Sequence, residues 1–430
     1  MNLDEIAASL VDGRTKGIPD GPPFMLRDIG SKGWNVLRGD LPLPVAVLKQ
    51  SVIDHNSDWM RRFLAQSGAS IAPHGKTTMS PQLFARQLAD GAWAITVANV
   101  QQMAVAVAAG CRRIIIANQV VGAAEIRALF AALRDHVDLA VYCLVDSVAG
   151  VSQLAAAARA DSGTNVLHCL VEGGVAGGRT GCRSVAEALA VARAVNAAGP
   201  RLALSGVEGF EGIVTASTPG GTVAAVEVFL DFLVAIARTL EDAHLFADGE
   251  LILSAGGSMC YDLAVERLAA AGLKRTTRVV TRSGCYLTHD SGQYGEGFAE
   301  LRKRRPEIDA LGPGLAPALF VWAYVQSRPE PKKAIATLGK RDVSFDVALP
   351  QPVARYRPGS GVGPVPIHGT TTVGLNDQHC HLALADHNDL AVGDVLCFGI
   401  SHPCTTFDKW KVVPLVDDDW NVTDAVRTFF

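Results

Sequence analysis

From about residue 45 the chain repeats one pattern. A short β-branched or apolar run is followed by an Ala-rich stretch with apolar residues at helical spacing, as in Trp59, Phe63 and Leu64, or Val226, Phe229, Leu230 and Leu233. The runs lie at 44–48, 70–73, 94–98, 113–117, 139–145, 166–171, 202–206 and 250–254, and their starts are roughly 20 to 50 residues apart. Eight successive strand–helix units of continuously apolar strand predict a closed parallel (β/α)8 barrel. An open doubly wound sheet is the alternative. It is the weaker fit, because no dinucleotide-binding glycine fingerprint follows the first run.

Past residue 275 the helical pattern fades. Short alternating stretches with Gly and Pro at 278–281, 334–338, 395–400 and 411–415 predict a separate β domain. The expected organisation is a barrel over 41–275 and a β domain over 276–430, with the irregular residues 1–40 packing on the latter. A chain of 430 residues that is 49% hydrophobic has ample material for such cores.

Charge and hydropathy exclude several function classes. The net charge is −4 and no basic block stands out, so nucleic acid is not an expected partner. Apolar runs such as Ile114-Ile115-Ile116 are too short to span a bilayer. The acidic start Met1-Asn2-Leu3-Asp4-Glu5 lacks the pattern of a signal peptide, so the expected location is cytoplasmic. Nine cysteines, scattered and often within apolar runs, are then expected to be mostly reduced core residues.

Reactive groups in such barrels sit at the C-terminal ends of strands. The run at 70–73 ends in Pro73-His74-Gly75-Lys76-Thr77. Desolvation at a barrel mouth favours a neutral lysine amine, a nucleophile for an aldehyde; the plainer reading is a surface lysine after a turn. The run at 166–171 leads into Glu172-Gly173-Gly174-Val175-Ala176-Gly177-Gly178-Arg179-Thr180-Gly181, where glycine suggests backbone lying against a ligand and Arg179 points at it or pairs with a rim carboxylate. Gly256-Gly257-Ser258 follows the run at 250–254, a turn whose N–H groups can cradle a phosphate. Near the C-terminus, His402-Pro403-Cys404 places an imidazole and a thiol two residues apart, a pair suited to Zn²⁺ or another divalent metal. Asn376-Asp377-Gln378-His379-Cys380-His381 is a second polar cluster that could add a ligand.

Together these segments resemble the D-serine dehydratase and D-threonine aldolase family, pyridoxal-phosphate enzymes with an alanine-racemase-like barrel. The resemblance runs from about residue 40 to the end. Its most specific parts are Pro73-His74-Gly75-Lys76-Thr77, Gly178-Arg179-Thr180-Gly181, Gly206-Val207-Glu208-Gly209-Phe210-Glu211-Gly212, Arg282-Ser283-Gly284-Cys285-Tyr286 with Asp290, and His402-Pro403-Cys404. It implies that Lys76 joins the cofactor covalently and acts as the catalytic base. It further implies that Arg179 meets the pyridine nitrogen, that Gly256, Gly257 and Ser258 hold the phosphate, and that His74, Phe210 and Tyr286 line the cofactor site. His402 and Cys404 are implied as ligands of a catalytic zinc, and the assembly as a homodimer.

Two departures matter. Phe210 stands where relatives often have Tyr, and Thr77-Thr78-Met79 differs from their usual continuation after the lysine. The expected activity is a dehydratase turning a β-hydroxy D-amino acid, such as D-serine or D-threonine, into a 2-oxo acid and ammonia. Retro-aldol cleavage is the alternative, favoured in relatives with a carboxylate where this chain has Cys404. Racemisation and non-catalytic cofactor binding are weaker alternatives.

Overall fold

The computed structural model describes residues 2–214, 221–257 and 259–430. They form two compact units. One comprises Arg61–Lys76 and Phe84–Gly284; the other comprises Met1–Met60, Thr77–Leu83 and Cys285–Phe430.

The first unit is a (β/α)8 barrel. Its eight strands run, in sheet order, Ser70–Ile71, Thr277–Thr281, Leu251–Ser254, Leu202–Gly209, Leu167–Gly173, Ala140–Val145, Arg113–Ile116 and Ile95–Val97. All the pairings are parallel. The sheet closes between its first and last members: Trp93 N–H donates to the Ile71 carbonyl at 2.8 Å and Thr96 N–H to that of Pro73 at 2.9 Å. The barrel interior is filled by one residue from each of several strands or their ends. Ala72, Ala94, Ile115, Leu144, Leu170, Ile252 and Val280 form this apolar plug.

Local chemistry supports the alternation. Asn99, Ser147 and Ser184 each accept a backbone N–H as the N-cap of the helix that follows. On the helix Gly221–Asp242, Val226, Phe229, Leu230 and Leu233 are all buried, as their spacing requires. A Cβ on Gly173 or Gly209 would come within 2.5 and 2.8 Å of Leu233, so these strand ends need glycine for that helix to approach.

The membership of the eight strands differs from the sequence expectation. The run at 44–48 is the strand Val45–Lys49, but it lies in the β unit, antiparallel to Leu319–Glu330 and parallel to Val412–Val416. The eighth barrel strand is Thr277–Thr281, which the alternation of residues 278–281 had placed in the β domain. A wholly buried apolar run fits the centre of any sheet, so periodicity does not say which. The barrel unit therefore extends to Gly284, beyond the boundary expected at 275.

The β unit is built on the strands Val45–Lys49, Leu319–Glu330, Lys333–Ala336, Gln351–Tyr356, Thr370–Leu375, Cys380–Leu384, Val395–Gly399, Val412–Val416 and Val422–Arg427. Its core joins Trp322, Val395 and Val412 to Ile6, Ile18, Leu26 and Ile29 from the N-terminal segment. No described helix is long and apolar enough to cross a membrane.

Candidate active site

A cavity of about 570 Å³ opens in the barrel unit, lined by His74, Lys76, Asn118, Glu172, Arg179, Thr180, Glu208, Phe210, Gly257 and Arg282 among others. These residues come from the segments that follow the C-terminal ends of the barrel strands, where the chain has left the ladder and side chains are free to converge. Lys76 lies in a short 3-10 turn, Gly75–Thr77, five residues past the first barrel strand. Gly75 allows that turn, since a Cβ there would come within 2.8 Å of Phe84 and 3.0 Å of Ile95.

The cavity is densely ionic. Arg282 is almost fully buried and donates to Ser254 Oγ at 2.7 Å and to the Gly209 carbonyl at 3.0 Å; it also pairs with Glu208 at 2.5 Å. Burial pushes the Glu208 carboxyl up to about 7, against the pull of the Arg282 charge. One of its oxygens, Oε2, is buried without a hydrogen-bond partner among the described residues. His74 is held well below the ordinary imidazole range, first by burial and then by the charges of Lys76, Arg282 and Arg179. It is therefore neutral, and its Nδ1 is also buried and unpartnered. Glu172 is fixed by Gln119 at 2.5 Å and Thr180 at 2.8 Å. Arg179 is exposed and lies over the Phe210 ring, 4.8 Å from its centroid.

The two glycine-rich stretches have different physical causes. In 173–181 the glycines let the loop fold back on itself: a Cβ on Gly174 would strike the Thr180 carbonyl at 2.1 Å, and one on Gly181 would meet Gly174 at 2.7 Å. That internal closure accounts for Gly174 and Gly181, while Arg179 and Thr180 of the same run line the cavity. At the other stretch, Gly256 adopts φ +89°, and a Cβ on Gly257 would meet Phe210 at 2.9 Å. Here the backbone does gather an anion. Gly256 N–H donates to Glu211 Oε2 at 2.9 Å and Gly257 N–H to Oε1 at 2.6 Å. Ser258, the third residue of the expected cradle, lies outside the described residues.

The β unit holds the other candidate group. His402 Nδ1 is 2.6 Å from Asp346 Oδ2, and Thr405 donates to Asp346 Oδ1 at 2.8 Å. Cys404 Sγ is 3.5 Å from Thr77 Oγ1 and 3.9 Å from Cys285 Sγ. Hydrogen bonds with Cys285 and His402 hold the Cys404 thiol well below its ordinary range. The bond to Cys404 and then Asp346 push His402 up to about 9, and Cys285 is held well up by its own bond to Cys404. Thiolate and imidazolium thus stabilise each other. Among the described residues no group of three or more His, Cys, Asp or Glu is arranged to hold a metal. The second cluster has other partners: His381 Nε2 is 2.6 Å from Asn376, and Cys380 is buried against Thr372. Tyr286 is buried in the β unit.

Residues 318–416 match the putative serine dehydratase domain family. The chain is 28% identical to a D-threonine aldolase of an Arthrobacter species over 391 residues, 88% of this chain and 92% of that protein. Both matches make the chain similar to the D-serine dehydratase and D-threonine aldolase family. Solved structures show the same fold. The D-threonine aldolase from Filomicrobium marinum has a TM-score of 0.72 at 21% identity, covering 90% of this chain and 95% of that one. The D-threo-3-hydroxyaspartate dehydratase from Delftia sp. HT23 has 0.70 at 22%, covering 92% and 99%, and a cysteine-to-alanine variant of that enzyme is described in a metal-free form.

The family's cofactor, pyridoxal phosphate, suits the residues present. The cavity has a lysine for the aldehyde, two buried polar atoms without protein partners, and a glycine turn already holding a carboxylate. His402 and Cys404 also have the chemistry to suit a borderline-soft divalent ion. They offer one thiol and one imidazole whose Nδ1 is engaged by a carboxylate. Sequence reasoning gave no role to Glu208, Glu211, Arg282, Asp346 or Cys285. All of these but Asp346 stand inside quoted motifs, so that signal existed, whereas Asp346 lies in no motif.

Proposed function

We propose that this chain is a pyridoxal-phosphate-dependent lyase that eliminates water from a β-hydroxy D-amino acid, the dehydrated product then taking up one water to give a 2-oxo acid and ammonia, with a divalent metal held by His402 and Cys404. The observation that carries the reading is Lys76 in a cavity that also contains two arginines, a neutral histidine and an anion-holding glycine turn.

Pyridoxal phosphate, when bound, supplies an electron sink that acidifies the substrate Cα–H. Lys76 would hold the cofactor aldehyde and, once released by the substrate amine, take the Cα proton on its Nζ. Arg179 would face the pyridine nitrogen. The buried Arg282 is a second guanidinium in the same cavity, and either would leave that nitrogen without an added proton, because guanidinium does not give up its own. The cofactor would then be a weaker electron sink, which would favour substrates whose β-substituent departs readily. Neutral His74 can accept or donate at its free Nδ1 without adding charge beside Lys76. His402 and Cys404 would hold a zinc that polarises the β-hydroxyl as a Lewis acid. The metal-free description of the related dehydratase's cysteine variant supports a metal at such a thiol.

The aldolase relative favours a second reading, in which the same residues support Cα–Cβ cleavage. Cys404 as a thiolate ligand tips the choice to elimination. Product analysis with D-serine and D-threonine decides it. The proposal expects pyruvate or 2-oxobutyrate with equimolar ammonia; glycine with acetaldehyde from D-threonine would replace it by the aldolase reading. A homodimer is the expected assembly, and sedimentation at a mass of two chains checks it.

A further inference from the structure

Glu211 sits where the cofactor's phosphate is expected. Its carboxylate is 1% exposed, and its hydrogen-bond partners are the N–H groups of Gly256 and Gly257, one per oxygen. Among the described residues no lysine or arginine pairs with it. The turn needs φ +89° at Gly256 to aim these donors, and Phe210 leaves no room for a Cβ at Gly257. Such successive N–H groups form an anion nest, and this nest is full. A phosphate cannot use the same two donors while the carboxylate holds them, and two anions in one low-dielectric pocket repel.

We propose that Glu211 is the resident anion of the phosphate cradle, displaced only by a phosphate that arrives on an aldehyde able to react with Lys76. The inference rests on the reading of Lys76 as the cofactor-bearing residue. Free phosphate must be immobilised from solution to evict Glu211. A phosphate on pyridoxal is delivered once the Lys76 amine has condensed with the aldehyde and released one water, which makes the eviction intramolecular. Glu211 is thereby a specificity-determining residue: it closes the cofactor-free cradle to inorganic phosphate and leaves it open to the tethered one.

The test uses the full chain cleared of cofactor, as wild type, Glu211→Gln and Glu211→Asp. Pyridoxal phosphate and unphosphorylated pyridoxal are titrated by absorbance, with and without inorganic phosphate. In Glu211→Gln, pyridoxal phosphate binds roughly tenfold tighter and inorganic phosphate competes at roughly tenfold lower concentration, the size expected for losing charge-assisted hydrogen bonds. Pyridoxal affinity does not change. Glu211→Asp, too short to span both amides, falls between and serves if the Gln variant does not fold. Weaker or unchanged pyridoxal phosphate binding, or an equal change for pyridoxal, overturns the proposal and makes Glu211 a brace for the turn. Borohydride labelling of Lys76 in the wild type is scored separately. No label removes the cofactor reading itself, whereas a labelled Lys76 with unaltered phosphate competition removes only the role of Glu211.

Discussion

The barrel cavity and the thiol–imidazole cluster of the β unit are both crowded with titratable groups, but their polar atoms are satisfied differently. In the cavity, His74 Nδ1 and Glu208 Oε2 are buried with no hydrogen-bond partner among the described residues. In the β unit, His402 Nδ1 has Asp346, and Cys404 Sγ has Thr77, Cys285 and His402. A buried polar atom without a hydrogen bond costs about 1–3 kcal/mol, which a fold tolerates where a ligand restores the bond. The cavity thus leaves polar atoms for a ligand to satisfy. The cluster satisfies its own polar atoms by sharing protons.

Removing the anchoring amine breaks the first half of that contrast most severely. Lys76→Ala should lose the covalent cofactor adduct and lower turnover by at least about 10²–10⁴, the usual worth of a positioned base, as read by visible absorbance and steady-state rates. Cys404→Ala should abolish stoichiometric metal binding while leaving that adduct intact, as read by metal analysis beside absorbance. Loss of both together would erase the distinction between the sites.

Asp346→Asn should weaken metal binding by about 10–100-fold, the range seen when the partner of a ligating histidine is removed. Chelator competition measures it. An unchanged affinity would mean that the Asp346–His402 contact only tethers the loop.

Glu208 gives a pH signature. Its carboxyl is raised from 4.5 to about 7, so between those values the folded chain binds more protons than the unfolded one. The contribution to stability is fully present below pH ~4.5 and is lost as pH rises through ~7. The difference, 7 minus 4.5, corresponds to at most ~3 kcal/mol. Denaturant titrations of the cofactor-free chain at pH 5 and pH 8 should show that slope, and Glu208→Gln should flatten it. At pH 8 the variant should also be less stable than the wild type, because Arg282 then remains buried without its ion pair.

Much of this was legible in the chain. The strand–helix rhythm gave a barrel, because a parallel sheet covered by helices needs apolar strands and amphipathic helices in alternation. Lys76, Arg179 and Gly257 converge on one cavity, because loops after parallel strands open on one barrel face. Two errors have one cause. Val45–Lys49 and Thr277–Thr281 exchanged domains, since a short buried strand carries no mark of its sheet. In the run at 173–181 glycine also serves where backbone meets backbone, as at Gly174 and Gly181, which composition alone does not reveal. Asp346 escaped notice because its role depends on a contact 56 residues away in sequence, which no local pattern encodes.

The account turns on the chemistry of one amine, and borohydride reduction of the native protein followed by peptide mapping examines it directly. The prediction is loss of the long-wavelength absorbance and a single pyridoxyl-phosphate modification, on Lys76. A protein that carries no such chromophore after incubation with pyridoxal phosphate, or that is labelled at a different lysine, would contradict it.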